Sequence, residues 1–218
     1  MTEPNLIMLT EPRSAAAEAF RALRTNLMFS SLERPLSAIV VSAPMDAEDK
    51  STVAANLAIA FAQAGNKTIL VDGDLRKPAQ HELWGVGNER GLSTMMLEDA
   101  AMSTPPLVET SVANLLLLTS GPLPPAPADM LSNQRMSDIL GVLKARASYI
   151  LFDSPPVLAA SDAVLLGAKA DGVLLVVRAG HTRRDHTARA RQALERVHVN
   201  VLGAVLTNAP KENTGHYG

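Results

Sequence analysis

Lys50 and Ser51 stand between a polar loop (PMDAED, residues 44–49) and a helix-like run beginning TVAANLAIAF. A lysine followed by a hydroxyl, between a strand and a helix, suits phosphate. The ammonium reaches the β- and γ-phosphates, the hydroxyl ligates Mg²⁺, and the helix N-terminus adds free N–H groups and positive potential. Two further strings carry carboxylates. KTILVDGDLRKP (67–78) places Asp72 and Asp74 on either side of Gly73, and SYILFDSPP (148–156) places Asp153 directly after a short apolar run. Carboxylates gathered at one edge need a cation, and the usual one is Mg²⁺ on a nucleotide phosphate. A single aspartate at a strand end is commonly a turn or helix-capping residue. Three in this order, after a Lys-Ser helix start, point instead to a nucleotide-dependent enzyme.

The loop departs from the G-x-x-x-x-G-K-[ST] pattern. Pro44 and Asp49 occupy the two glycine positions, and Ala47 replaces a third small residue. Glycine serves there because the backbone curls with positive φ and approaches the phosphates closely. Aspartate tolerates left-handed geometry better than most residues, so Asp49 is not an absolute bar. Charge is the larger obstacle, because Asp46, Glu48 and Asp49 lie where a triphosphate would sit. A like-charge contact at ~4 Å costs roughly 1 kcal/mol in water-like surroundings and roughly 4 kcal/mol at an effective dielectric of about 20. Acids pointing outward would lower that cost.

The elements that must position these residues follow from hydrophobic pattern. Apolar runs predict strands at 37–43, 67–71, 114–119, 148–152, 172–177 and 201–207. Helical periods predict helices at 14–29, 51–64, 133–146, 160–169 and 182–197, with Ser14 as an N-cap and Gly65 as a C-cap glycine. Strands alternating with helices predict an α/β fold with a parallel sheet covered on both faces. Ligands in such sheets bind at the carboxyl ends of the strands. Residues 1–13 read as an extended N-terminal tail, 14–208 as one domain and 209–218 as a mobile C-terminal tail. The proline-rich stretch 121–130 reads as a semi-rigid surface element.

Composition narrows the function classes. With 47% hydrophobic and 19% charged residues the chain reads as globular and soluble. A net charge of −2 gives no support for nucleic-acid binding. The absence of cysteine excludes disulfides, thiolate catalysis and cysteine metal sites, and it suits a reducing cytoplasm. No stretch reaches the roughly 18 consecutive apolar residues of a membrane helix, and the N-terminus lacks the pattern of a secretory signal.

Several strings together resemble the cytoplasmic kinase domain of the bacterial protein-tyrosine kinases, regulators of capsule and exopolysaccharide. ILVDGDLRKP looks like the family's second aspartate motif and YILFDSPP like its third, while EAFRALRTN matches its E-x-x-R-x-x-R signature through Glu18, Arg21 and Arg24. The resemblance runs from about Glu18 to Asn208. It implies a parallel-sheet P-loop NTPase fold of the MinD/ParA-like kind, ATP and Mg²⁺ as cofactors, and tyrosine autokinase activity. Lys50, Asp72 and Asp74 would be catalytic, with Asp72 drawing the proton from an attacking tyrosine hydroxyl. Asp49, Lys50, Ser51, Thr52 and Asn208 would bind nucleotide, with Asn208 at the adenine. Ser51, Asp72 and Asp153 would hold the metal. Glu18, Arg21 and Arg24 would build a ring-shaped homo-oligomer. A membrane adaptor of the polysaccharide co-polymerase type would recruit the cytoplasmic chain to the inner face of the membrane.

One further departure concerns phospho-acceptors. The family carries a tail cluster of tyrosines, whereas here Tyr217 is the sole tail tyrosine and Tyr149 opens a predicted strand. With the altered loop, this keeps a second reading open: a catalytically weakened regulatory or assembly subunit of the same system. A third, a partitioning ATPase, needs an additional lysine early in the loop, and residues 43–49 contain none. The arginine-rich stretch 181–200 reads as a solvated helix face. His181, His186 and His198 lack companions at metal-site spacing. Trp84 reads as packing a loop near the second aspartate motif.

Overall fold

Helices α1 (Ile7–Thr10) and α2 (Ala15–Phe29) precede β1 (Ala38–Ser42), α3 (Lys50–Gln63) and β2 (Thr68–Asp72). Short elements follow: α4 (Gln80–Trp84), α5 (Leu92–Leu97), α6 (Asp99–Ser103), β3 (Val108–Glu109) and β4 (Leu115–Leu118). The chain continues through α7 (Pro127–Ser132), α8 (Gln134–Lys144), β5 (Tyr149–Asp153), α9 (Asp162–Gly167), β6 (Gly172–Arg178), α10 (Arg184–Glu195) and β7 (Val201–Thr207). This computed structural model describes residues 6–30, 35–46 and 49–209.

The strands form one sheet in the order β3-β4-β2-β5-β1-β6-β7. Every pairing is parallel except β3 with β4. Side chains of β1 alternate between two cores: Ile39 and Val41 face one, Ala38 and Val40 the other. Both faces are therefore covered, as the continuous apolar runs require. Helix α3 is buried nearly all round, from Val53 to Ala62. A helix apolar on every side must be enclosed, and α1 and α2 enclose it.

That need corrects the reading of residues 1–13 as an extended tail. Within the described part, Leu6 and Met8 are fully buried and residues 7–10 form a helical turn. The Met8 N–H donates to Oδ1 of the buried Asn56 on α3 at 3.0 Å. The six predicted strands and five predicted helices all occur, with shifted ends. Helices α4 to α7 and strand β3 were not predicted, because elements of two to six residues carry too little period to register. Helix α7 begins inside the proline-rich stretch, with Pro127 at its first turn. Gly65 takes φ +85° just after α3, the left-handed geometry expected of a helix-ending glycine. Tyr149 packs against Phe61 with ring centroids 4.3 Å apart and the rings tilted by 35°, partly buried against the core.

Candidate functional site

Strands β1, β2 and β5 end together, because the register sets Val41 beside Asp153 and Asp72 beside Asp153. The connection after β2 then turns back over β5. The Gly73 N–H donates to the Asp153 carbonyl at 2.8 Å. A Cβ on Gly73 would sit 2.9 Å from that carbonyl oxygen, so only glycine admits this approach. The turn brings Asp74 to the start of α3.

Lys50, the first residue of α3, is 9% exposed. Its Nζ lies 3.0 Å from Asp74 Oδ2, 3.3 Å from Asp153 Oδ1 and 3.3 Å from Ser51 Oγ. Burial alone would lower the lysine pKa, but the charges of Asp153 and Asp74 outweigh it and raise the value above its ordinary level. Asp72 is turned elsewhere. Its Oδ2 accepts from the Ala79 and Gln80 N–H groups at 3.0 and 2.9 Å, and its Oδ1 from the Asp74 N–H at 3.2 Å. Burial and the neighbouring charge of Asp153 push the Asp72 carboxyl up to about 8, against those N–H donors.

The phosphate loop is pinned at its base by the end of the third aspartate string and the two residues after it. Val157 and Leu158 donate their N–H groups to the carbonyls of Ala43 and Pro44, and Ser42 Oγ donates to the Pro155 carbonyl at 2.8 Å. The two described acids of the loop have cationic or hydroxyl partners. Asp49 accepts from Thr207 Oγ1 at 2.9 Å and lies 3.5 Å from the Arg178 guanidinium, while Asp46 meets Lys77 Nζ at 3.1 Å. Asp49 has φ −76°, so the left-handed geometry allowed for at this glycine position is not used. Ala47 and Glu48 lie outside the described residues, as does Tyr217.

The structure thus brings Lys50, Ser51, Asp72, Asp74 and Asp153 to one place, with Asp49 at its rim. Thr52 follows in the first turn of α3 and lends its carbonyl to the Asn56 amide. Asn208 follows β7 at φ +53°, exposed, with its amide 3.4 Å from the Ala179 carbonyl. Glu18, Arg21 and Arg24 lie on α2. Arg21 pairs with Glu18 at 2.9 Å and donates to the Pro12 carbonyl, while Arg24 reaches inward to the Ala60 carbonyl at 3.1 Å.

Sequence reasoning missed Gln80, Arg178, Thr207 and Asp162. Gln80 is fully buried and its amide bonds both Asp153 and the Ser51 carbonyl. Asp162 receives Nε and a terminal nitrogen of Arg76, both at 3.0 Å. Arg76 in turn donates its N–H to Asp74 at 3.2 Å. Only the arginine of DLRKP hinted at that fork.

Among the described residues no group of three or more His, Cys, Asp or Glu side chains is placed to hold a metal ion by itself. Magnesium does not require one, since it keeps several waters and takes one or two protein oxygens plus phosphate oxygens. The donor set fits that mode. Ser51 Oγ and the Asp72 and Asp153 carboxyl oxygens are hard donors, and two buried carboxylates, Asp74 and Asp153, share the one Lys50 amine, which leaves negative charge that a cation would offset.

Among known proteins, the chain matches the CobQ/CobB/MinD/ParA nucleotide binding domain over residues 47–215. It is 38% identical over 214 residues to the tyrosine-protein kinase YwqD of Bacillus subtilis, covering 98% of this chain and 90% of that protein. The kinase domain of the Escherichia coli tyrosine kinase ETK superimposes with a TM-score of 0.91 at 29% identity, over 100% of this chain and 85% of that one. The chimerical protein CapA2B2 gives a TM-score of 0.90 at 34% identity, over 94% and 90%. With its lysine, hydroxyl and three carboxylates on this nucleotide-binding fold, the chain belongs to the bacterial protein-tyrosine kinase family.

Proposed function

We propose that this chain is an ATP-dependent protein-tyrosine kinase that modifies its own C-terminal tail and regulates capsular or exopolysaccharide synthesis or export. The observation that carries this reading is the convergence on Lys50 of Asp74 and Asp153, residues 24 and 103 positions away, beside Ser51. In this reading Lys50 leaves its two carboxylates to meet the β- and γ-phosphates. Ser51, Asp72 and Asp153 hold Mg²⁺, which when bound neutralises charge on the transferring phosphoryl group. Asp72 would accept the proton of the attacking tyrosine hydroxyl in its ionised form, which a bound cation favours, and Asp74 steers the lysine. Asp49, Thr52 and Asn208 line the nucleotide. Tyr217 is the acceptor.

Family resemblance supports the wider setting: a cytoplasmic chain, assembled as a ring through Glu18, Arg21 and Arg24. Among the described residues no helix is long and apolar enough to cross a membrane. The same resemblance implies a separate adaptor of the polysaccharide co-polymerase type that would carry the chain to the membrane's inner face.

A second reading, a regulatory subunit that binds nucleotide weakly, is favoured by one observation: the carboxylate of Asp49 stands where the phosphate-loop pattern has glycine. One experiment separates the two. Purified protein is titrated with Mg-ATP and then blotted for phosphotyrosine, with Lys50→Ala and Tyr217→Phe as controls. Micromolar binding and a signal lost in both variants are expected. No binding at millimolar ATP, with Lys50→Ala indistinguishable from the parent, would remove the kinase reading and leave the regulatory one.

A further inference from the structure

Gln80 opens α4 and touches the site through two of its atoms, its backbone nitrogen and its side-chain Nε2. Its backbone N–H donates to Asp72 Oδ2 at 2.9 Å. Its side-chain Nε2 donates to Asp153 Oδ2 at 2.9 Å and to the Ser51 carbonyl at 3.0 Å. Its Oε1 accepts from the indole N–H of Trp84 at 3.2 Å. The amide and the indole are both buried.

The indole can only donate, and an amide presents one acceptor atom and one double donor. Turned over, the amide would set its NH₂ against the indole N–H and its oxygen against a carboxylate and a carbonyl. Trp84, together with the two acceptors on the other side, therefore fixes which way the Gln80 amide faces. That orientation holds one oxygen of Asp153 while Lys50 takes the other at 3.3 Å. The same NH₂ ties Asp153 to the first turn of α3, where Ser51 sits.

We propose that Gln80, oriented by Trp84, is a positioning residue that sets the spacing between Ser51 and Asp153 for a divalent cation carried on a nucleotide. The inference rests on the nucleotide reading of this site. Groups that orient metal-binding side chains commonly change metal affinity by about 10- to 100-fold when removed.

The test is calorimetric titration of the full chain with ADP, once with Mg²⁺ and once with EDTA. The parent is compared with Gln80→Met, Trp84→Phe and the double variant. Gln80→Met should weaken Mg-ADP about 10-fold and leave metal-free ADP unchanged. Trp84→Phe should give a smaller loss of the same selectivity, and the double variant should be no weaker than Gln80→Met alone. Trp84 is the sole tryptophan, so its emission reports the same contact: Mg²⁺ added to the ADP complex should shift it in the parent and not in Gln80→Met. Equal losses with and without Mg²⁺, losses that add in the double variant, or Mg-ADP binding by Gln80→Met equal to the parent would overturn the proposal. If Gln80→Met fails to fold, Trp84→Phe decides by the same comparison, because it leaves the amide in place. A parent that binds ADP in neither condition would instead overturn the nucleotide reading, and this inference with it.

Discussion

Asp72 shows how one side chain carries the electrostatic state of the whole site. It is fully buried beside Asp153 and accepts three backbone N–H groups, yet burial and that neighbour lift its pKa to about 8. An unfolded aspartate titrates near 3.9. Between those values the folded chain holds a proton that the unfolded chain has released, so stability falls as pH rises through this window. We expect the denaturation midpoint of the ligand-free protein to drop steadily from about pH 5 to pH 8 and then level. Asp72→Asn, which cannot ionise, should flatten that slope, as followed by urea unfolding at each pH. An unchanged slope in the variant would show that other groups set the dependence. The aspartates themselves were legible in the sequence, because Asp72 and Asp153 each close a local apolar string and Asp74 follows one glycine after the first. Which of them hold the lysine was not: Asp74 and Asp153 do, and Asp72 faces the 79–80 backbone. That choice depends on how the turn after β2 lies over β5.

Between elements, the opposite end of the sheet is closed by another carboxylate. Asp171, just before β6, accepts from the N–H groups of Ser37 and Ala38 at 2.7 Å each and from the Ser37 hydroxyl at 3.0 Å, at the entry to β1. Partial burial opposes ionisation, but these donors and the charge of Lys144 hold its carboxyl below the ordinary aspartate value. The sign is therefore the reverse of that at Asp72. The stabilisation is complete above about pH 4 and is lost as pH falls through the depressed folded value. Asp171→Ala should cost about 1.5–3 kcal/mol near neutral pH, the usual worth of hydrogen bonds to a charged group. It should cost progressively less below pH 4, as read by denaturant titration. A cost that does not shrink in acid would mean that the ionised carboxylate is not what matters. Helix α2, beside α3, was readable from its period, but α1 and the packing of Leu6 and Met8 were not. Two buried residues in a short segment make no repeating pattern, and only the enclosed surface of α3 gives them a place.

Over the whole molecule, the sheet order brings Thr207 and Arg178 to Asp49 across 158 and 129 positions of chain, which neutralises an acid that the loop sequence left facing phosphate. The proposed ring contact is also a property of the molecule's outer surface. Arg24 is engaged within the chain at the Ala60 carbonyl, whereas Glu18 is exposed and Arg21 partly so. Glu18→Ala with Arg21→Ala should therefore lower the assembled mass in light scattering and leave the thermal midpoint nearly unchanged, since an exposed ion pair is worth about 0–1 kcal/mol. An unchanged mass would remove the contact.

The amino-acid sequence by itself determined the fold class, the family and the five residues at the centre of the site. All of these are written in short strings whose apolar period and terminal polar residues act locally. Tertiary structure alone decided the pairing of Lys50, the partners of Asp49 and the place of Gln80 between Trp84 and Asp153. Those contacts join segments that meet only after β1, β2 and β5 are laid side by side, and hydrogen-bond geometry then selects among partners that chain order does not rank.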